Sequence, residues 1–164
     1  MNITLIGMPG SGKSFVGSVL AEALGFTVID FDREMEKEYG GSSLQSLVEE
    51  WGDALFIERE ADFAIRATEG KDKLIISPGG SIIYSPHAME HLQDISRIVY
   101  LKAPLALIEK RINGIPRGII GLGSKTLADL YAERVPLYEK YAHATFSADG
   151  DAVQIASAIV KQFA

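Results

Sequence analysis

Cysteine is absent from the 164 residues, so neither a disulfide framework nor a thiolate metal site can form. That fits a reducing compartment such as the cytoplasm. An excess of positive charge is also missing, since 16 Lys and Arg stand against 22 Asp and Glu for a formal net charge of -6. A general nucleic-acid binder carries a basic face to neutralise phosphates, so no nucleic-acid partner is expected and any basic group that matters acts locally. No apolar run approaches the roughly 20 residues that a bilayer span takes, and Met1-Asn2-Ile3-Thr4-Leu5-Ile6 lacks the basic opening of a secretory signal. These absences lead to the expectation of a soluble, cytoplasmic protein with no membrane partner. The length fits one domain, and 47% hydrophobic residues are enough for a substantial core. No internal repeat or low-complexity segment is present.

The segments that are there alternate in type. Ile3 to Ile6 is a short apolar run of the buried-strand kind, and it feeds directly into Gly7-Met8-Pro9-Gly10-Ser11-Gly12-Lys13-Ser14. From Phe15 to Leu24, Val16, Val19, Leu20 and Ala23 share one helical face, and Gly25 ends it. A second strand is expected at Phe26 to Ile29, followed by Asp30-Phe31-Asp32 and a solvated helix over Arg33 to Glu38. Ser42-Ser43-Leu44-Gln45 resembles a capping box for a helix through Trp51, and another helix runs from about Asp53 to Thr68. Strands are expected at Leu74 to Ile76, Ile98 to Leu101 and Ala144 to Phe146, with late helices over Leu127 to Tyr141 and Asp151 to Phe163. The breaker-rich stretch 113–124, with Arg117 in its middle, reads as a mobile loop. Short strands alternating with helices predict an α/β fold with a central parallel sheet covered on both faces.

Gly7 to Ser14 satisfies G-x-x-x-x-G-K-[ST] between an expected strand and an expected helix, the context that gives this pattern its meaning. Its glycines let backbone N–H groups approach phosphate oxygens, the helix offers its positive end, Lys13 adds a full charge, and the Ser14 hydroxyl can ligate Mg²⁺. Nucleotide binding follows. Asp30 and Asp32 lie at the C-terminal end of the second strand, where ligands of open α/β sheets collect. In an extended segment they would point to opposite faces; the alternative is that one of them caps the helix at Arg33. Neither an Asn-Lys-x-Asp segment nor an Asp-x-x-Gly switch is found, which speaks against a GTPase.

The phosphate-loop motif, Asp30-x-Asp32, Gly52-Asp53-Ala54-Leu55-Phe56 with Glu60, the Gly79-Gly80 turn, Arg117 in a breaker-rich loop, and Glu133-Arg134-Val135-Pro136-Leu137-Tyr138 together resemble the shikimate kinase family, in order and over nearly the whole chain. The resemblance implies a three-layer P-loop NTPase fold made of one kinase domain over 1–164. Its helical substrate-binding region would span about 32–62 and its lid loop about 112–124. It implies a monomeric transferase of aromatic amino acid biosynthesis that uses ATP and Mg²⁺ to phosphorylate a small-molecule acceptor. By the same resemblance, Gly10, Ser11, Gly12, Lys13 and Ser14 hold ATP, with Arg111 against the adenine and Arg117 over the phosphates. Ser14 and Asp30 serve Mg²⁺. Asp32, Gly79, Gly80 and Arg134 receive the acceptor, with Lys13, Asp32 and Arg117 as the catalytic set.

Three positions depart from the family pattern. Ile57 stands where a second carboxylate-binding arginine is expected, and Arg59, about 200° further round the helix, points away from that face. Ser81 replaces the third glycine of the turn, and Gly118 stands where proline would stiffen the lid. The expected reaction is phosphorylation of shikimate to shikimate 3-phosphate. The alternatives are a related kinase for another hydroxylated acid such as homoserine, and a nucleotide-binding module without catalysis.

Overall fold

The computed structural model describes residues 1–113 and 118–164. Five parallel strands form one sheet in the order β2-β3-β1-β4-β5: β1 (Asn2–Ile6), β2 (Thr27–Asp30), β3 (Leu74–Ser77), β4 (Ser96–Lys102) and β5 (Ala144–Ser147). β1 is buried along its whole length because it lies between β3 and β4, with Ile3 opposite Ile75 on one side and Arg97 on the other. The strand therefore shows no alternation of wet and dry positions, and its polar members Asn2 and Thr4 are buried along with Ile3, Leu5 and Ile6. The edge strand β2 is only partly covered.

α1 (Lys13–Leu24) and α8 (Ala152–Phe163) pack on each other. α4 (Asp53–Thr68) packs on α5 (Pro86–Ile95), and α5 lies against β4. With helices on both sides, this is the three-layer α/β fold that the strand and helix alternation predicts. The smaller elements are α2 (Phe31–Glu38), α3 (Leu44–Trp51), a 3₁₀ turn (Ile82–Tyr84), α6 (Leu105–Ile112) and α7 (Leu127–Tyr141). Local sequence sets their ends. Ser43 accepts from the Ser46 N–H at 3.2 Å to open α3, and Thr126 and Asp129 form a reciprocal capping box on α7.

All five expected strands form, but two helices were not anticipated. α5 follows the Ser85 cap with Pro86 in its first turn, and α6 turns Ile108 into the core. The three histidines have structural surroundings where bonded: His91 meets the Thr68 hydroxyl at 2.8 Å, and His143 Nδ1 accepts from the Ile98 N–H at 2.9 Å. No helix among the described residues is long and apolar enough to cross a membrane.

The described part of the expected loop over 113–124 makes contacts of its own with the body of the fold. Ile119 and Ile120 are buried, the Gly121 N–H donates to Asp53 at 3.2 Å, and Gly118 rests on the Leu44–Gln45 backbone. A Cβ at Gly118 would come within 2.9 Å of the Leu44 carbonyl oxygen, so this glycine permits a close approach and does not simply loosen the segment. Arg117 lies outside the described residues.

Candidate active site

The C-terminal ends of β1, β2 and β3 open onto one cavity of about 880 Å³. Strand β1 delivers the phosphate loop there. Gly10 and Gly12 have φ of +82° and +91°, which a side chain would resist, and these turns bring the loop round to the start of α1. Lys13 folds back over the loop, its Nζ donating to the carbonyls of Gly7 at 2.8 Å and Met8 at 3.0 Å. Arg111, from the last turn of α6, donates from Nη1 to the Gly10 carbonyl at 3.0 Å. It therefore borders the loop, and the first turn of α8 also lines the cavity.

Asp30 and Asp32 do not stay in an extended segment, because helix α2 starts at Phe31 directly after β2. Asp30 is the cap: Oδ1 accepts from the Arg33 N–H at 3.4 Å, while Oδ2 accepts from the Ser14 hydroxyl at 3.0 Å. Ser14 and Asp30 thus bring two hard oxygen donors together beside the phosphate loop. That donor set suits Mg²⁺, which takes one or two protein ligands and completes its shell with phosphates and water. No cluster of three or more His, Cys, Asp or Glu ligands occurs among the described residues. Asp32, in the first turn of α2, lines the cavity instead.

The turn after β3 lines another part of the cavity. At Gly79 an added Cβ would lie 3.3 Å from Asp32 Oδ1 and 3.0 Å from Glu60 Oε2, so two carboxyl groups converge there. At Gly80 it would meet Pro9 at 2.8 Å, Arg134 Nη1 at 3.2 Å and the Tyr138 hydroxyl at 3.2 Å. Gly80→Ala is expected to raise the KM of both substrates, the acceptor's by about tenfold or more, because the methyl meets Pro9 of the phosphate loop at 2.8 Å and crowds Arg134 and Tyr138 at 3.2 Å. Steady-state kinetics with each substrate varied in turn would check it, and an unchanged acceptor KM would count against this placement.

Arg134 is 1% exposed, and two of its guanidinium nitrogens hold it in position: Nε donates to the Tyr84 hydroxyl at 3.2 Å and Nη2 to the Ile120 carbonyl at 2.7 Å. Its Nη1 is left toward Gly80. Tyr138, four residues on and therefore on the same face of α7, donates to the Gly80 carbonyl at 2.6 Å; burial pushes its phenol up, keeping it a neutral donor. Tyr84 also bonds Glu133, and Lys125 pairs with Glu133 at 2.6 Å, which holds the Glu133 carboxyl below its ordinary range. Glu60 is 1% exposed; burial first, then the Asp32 charge, push its carboxyl up to about 8.

The described sequence-predicted residues Gly10, Ser11, Gly12, Lys13, Ser14, Asp30, Asp32, Gly79, Gly80, Arg111 and Arg134 all line this one cavity. Arg59 does not line it; its guanidinium sits 4.2 Å from the centre of the Trp51 ring, in a cation–π contact. Ile57 packs partly buried against the core, whereas its neighbours Phe56 and Glu60 reach the cavity. The supporting roles of Tyr84 and Tyr138 were missed by the sequence reading. For Tyr138 the i, i+4 spacing from Arg134 was a usable signal; for Tyr84 there was none.

Comparison with known proteins points the same way. The family model for shikimate kinase matches residues 9–164. The chain is 33% identical over 138 residues to a shikimate kinase of Persephonella marina, covering 84% of this chain and 83% of that one. It is 34% identical over 151 residues to one from Paracidovorax citrulli, covering 90% and 82%. Among solved structures, a shikimate kinase from Acinetobacter baumannii in complex with shikimate superposes with a TM-score of 0.88 at 31% identity, over 98% of this chain and 91% of that one.

Proposed function

The chain belongs to the shikimate kinase family, and from that premise we propose that it transfers the terminal phosphate of ATP to a hydroxyl of shikimate, giving shikimate 3-phosphate. The observation that carries the reading is that the phosphate loop and the acceptor-side groups Asp32, Gly80 and Arg134 open onto the same cavity. A transfer between two bound molecules needs that adjacency, and holding both in line removes much of the entropic cost of their encounter.

The chemistry asks mainly for positioning and charge neutralisation. Lys13 would leave its backbone carbonyls for the β and γ phosphates as nucleotide enters, with the N-terminal end of α1 facing the same oxygens. Ser14 and Asp30 would hold Mg²⁺, which offsets charge on the phosphates. Asp32 would accept a hydrogen bond from the attacking hydroxyl and take its proton as the new O–P bond forms and the bond from the γ phosphorus to the bridging oxygen of ADP breaks. Arg134 would bind the acceptor carboxylate through Nη1, already aimed by Tyr84 and Ile120. Arg111 would lie against the nucleoside. Arg117, known here from sequence alone, is assigned the charge on the transferring phosphoryl group.

ADP release measured with shikimate, homoserine and gluconate in parallel tests the assignment. Shikimate is expected to be turned over with a kcat/KM at least about 10⁴ M⁻¹s⁻¹, in the ordinary enzymatic range. Turnover of shikimate no faster than background ATP hydrolysis, with another acid phosphorylated, would sink it.

A further inference from the structure

Phe15 is the most exposed large apolar side chain among the described residues, at 70%, and it sits in the first turn of α1 directly after Lys13 and Ser14. Nothing local asks for it there. The cap of α1 is Gly12, the core-facing side of the helix is made by Val16, Leu20 and Ala21, and the Phe15 ring takes part in no aromatic pair or cation–π contact among the described residues. A solitary apolar residue on a surface needs no explanation, but this one lines the cavity. We infer that Phe15 is a nucleoside-binding residue, which lays its ring against the nucleoside of the bound nucleotide while the adjoining loop holds the phosphates.

The chemistry of the cavity walls selects this occupant. A phenyl ring gives a phosphate neither charge nor hydrogen bond, so the part of a nucleotide that gains from it is the nucleoside, whose faces are apolar. α1 and α8 pack on each other, and both bring apolar side chains from their first turns to the cavity: Phe15 and Val16 from α1, Ala152 and Ile155 from α8. The groups assigned to the acceptor, Asp32 and Arg134, are charged and come from other helices. Arg111 adds a flat cation at the start of α1, since its Nη1 lies 3.6 Å from a Cβ built on the cap residue Gly12. A guanidinium plane and an aromatic ring are both surfaces on which a base or sugar can lie.

This rests on the nucleotide-binding half of the proposed function and divides the affinity between two parts of the ligand. The loop and Lys13 answer for the phosphates, and Phe15 answers for what is attached to them. Val153, on the first turn of α8, supplies a comparison: it is 62% exposed and apolar like Phe15, but it does not line the cavity.

The test compares the Kd of ADP with that of inorganic tripolyphosphate, by calorimetry in the presence of Mg²⁺ and without acceptor, for wild type, Phe15→Ala, Phe15→Trp and Val153→Ala. Phe15→Ala is expected to weaken ADP by about tenfold, within the range of a base on an aromatic side chain, and to leave tripolyphosphate within about twofold. Phe15→Trp keeps an aromatic face and should hold ADP within about threefold of wild type, and Val153→Ala should change neither ligand. Nuclear Overhauser contacts between the Phe15 ring protons and the ribose or base protons of bound ADP are expected in the wild type, and they decide the matter if tripolyphosphate binds too weakly to measure. An unchanged ADP Kd in Phe15→Ala, an equal loss for ADP and tripolyphosphate, or no Overhauser contact at saturating ADP would overturn the inference. Wild-type protein that binds ADP with these contacts but fails to turn over shikimate overturns the acceptor assignment alone.

Discussion

Lys13→Ala is expected to lower the rate of phosphoryl transfer by at least about 10³-fold without unfolding the protein, because the residue places the loop's full positive charge at the phosphates. Its two backbone contacts, to Gly7 and Met8, hold the ammonium over the loop before nucleotide arrives, so little reorganisation is needed on binding. The backbone N–H groups of the loop and the N-terminal end of α1 remain in the variant, and nucleotide affinity should fall less than turnover. Single-turnover ATP consumption with saturating shikimate, together with a thermal melt, separates these effects. Activity within about threefold of wild type would remove the loop lysine from the mechanism.

Arg134→Ala should reduce kcat/KM for shikimate by about 10²-fold or more, nearly all of it in the acceptor term, while the ATP KM moves little. A charge-assisted hydrogen bond is worth roughly 1.5–3 kcal/mol, and truncation also leaves the Ile120 carbonyl and the Tyr84 hydroxyl without their donor. Arg134→Lys should recover only a small part of the loss. A single ammonium cannot reach Tyr84, Ile120 and the acceptor in the fixed directions of the guanidinium fork. Kinetics with both substrates varied check the pair of variants; a shikimate KM within threefold of wild type in Arg134→Ala would show that the acid group is held elsewhere.

Much of this architecture is legible in the sequence because the governing signals are local. The buried run at β1, the glycine and lysine spacing of the phosphate loop, and the caps of α3 and α7 each depend on neighbours a few residues away. α5 and α6 escaped because they are short, at 10 and 8 residues, and bury few side chains. Their helicity is settled by packing on β4 and α7 more than by their own pattern. In the site, the geometry around Arg134 depends on Tyr84, which is 50 residues away in sequence and has no local mark. The burial of Glu60 beside Asp32 was equally invisible, since it brings together residues 28 apart in sequence. Gly118 carries a contact that was hidden for a related reason. Its flexibility is a property of the residue, but its contact with Leu44 is a property of the fold.

Asp30 divides its two carboxylate oxygens between tasks, one capping the helix that carries Asp32 and the other bonded to Ser14. The consequence is epistatic. Removing the Asp30 side chain frays the first turn of α2 and displaces Asp32 along with any ligand held at Ser14, so the effects of substitutions at 30 and 32 will not add. An alanine at 30 therefore measures the junction of β2 and α2 as much as it measures a metal ligand, and asparagine, which can still cap the helix, is the substitution that isolates the charge.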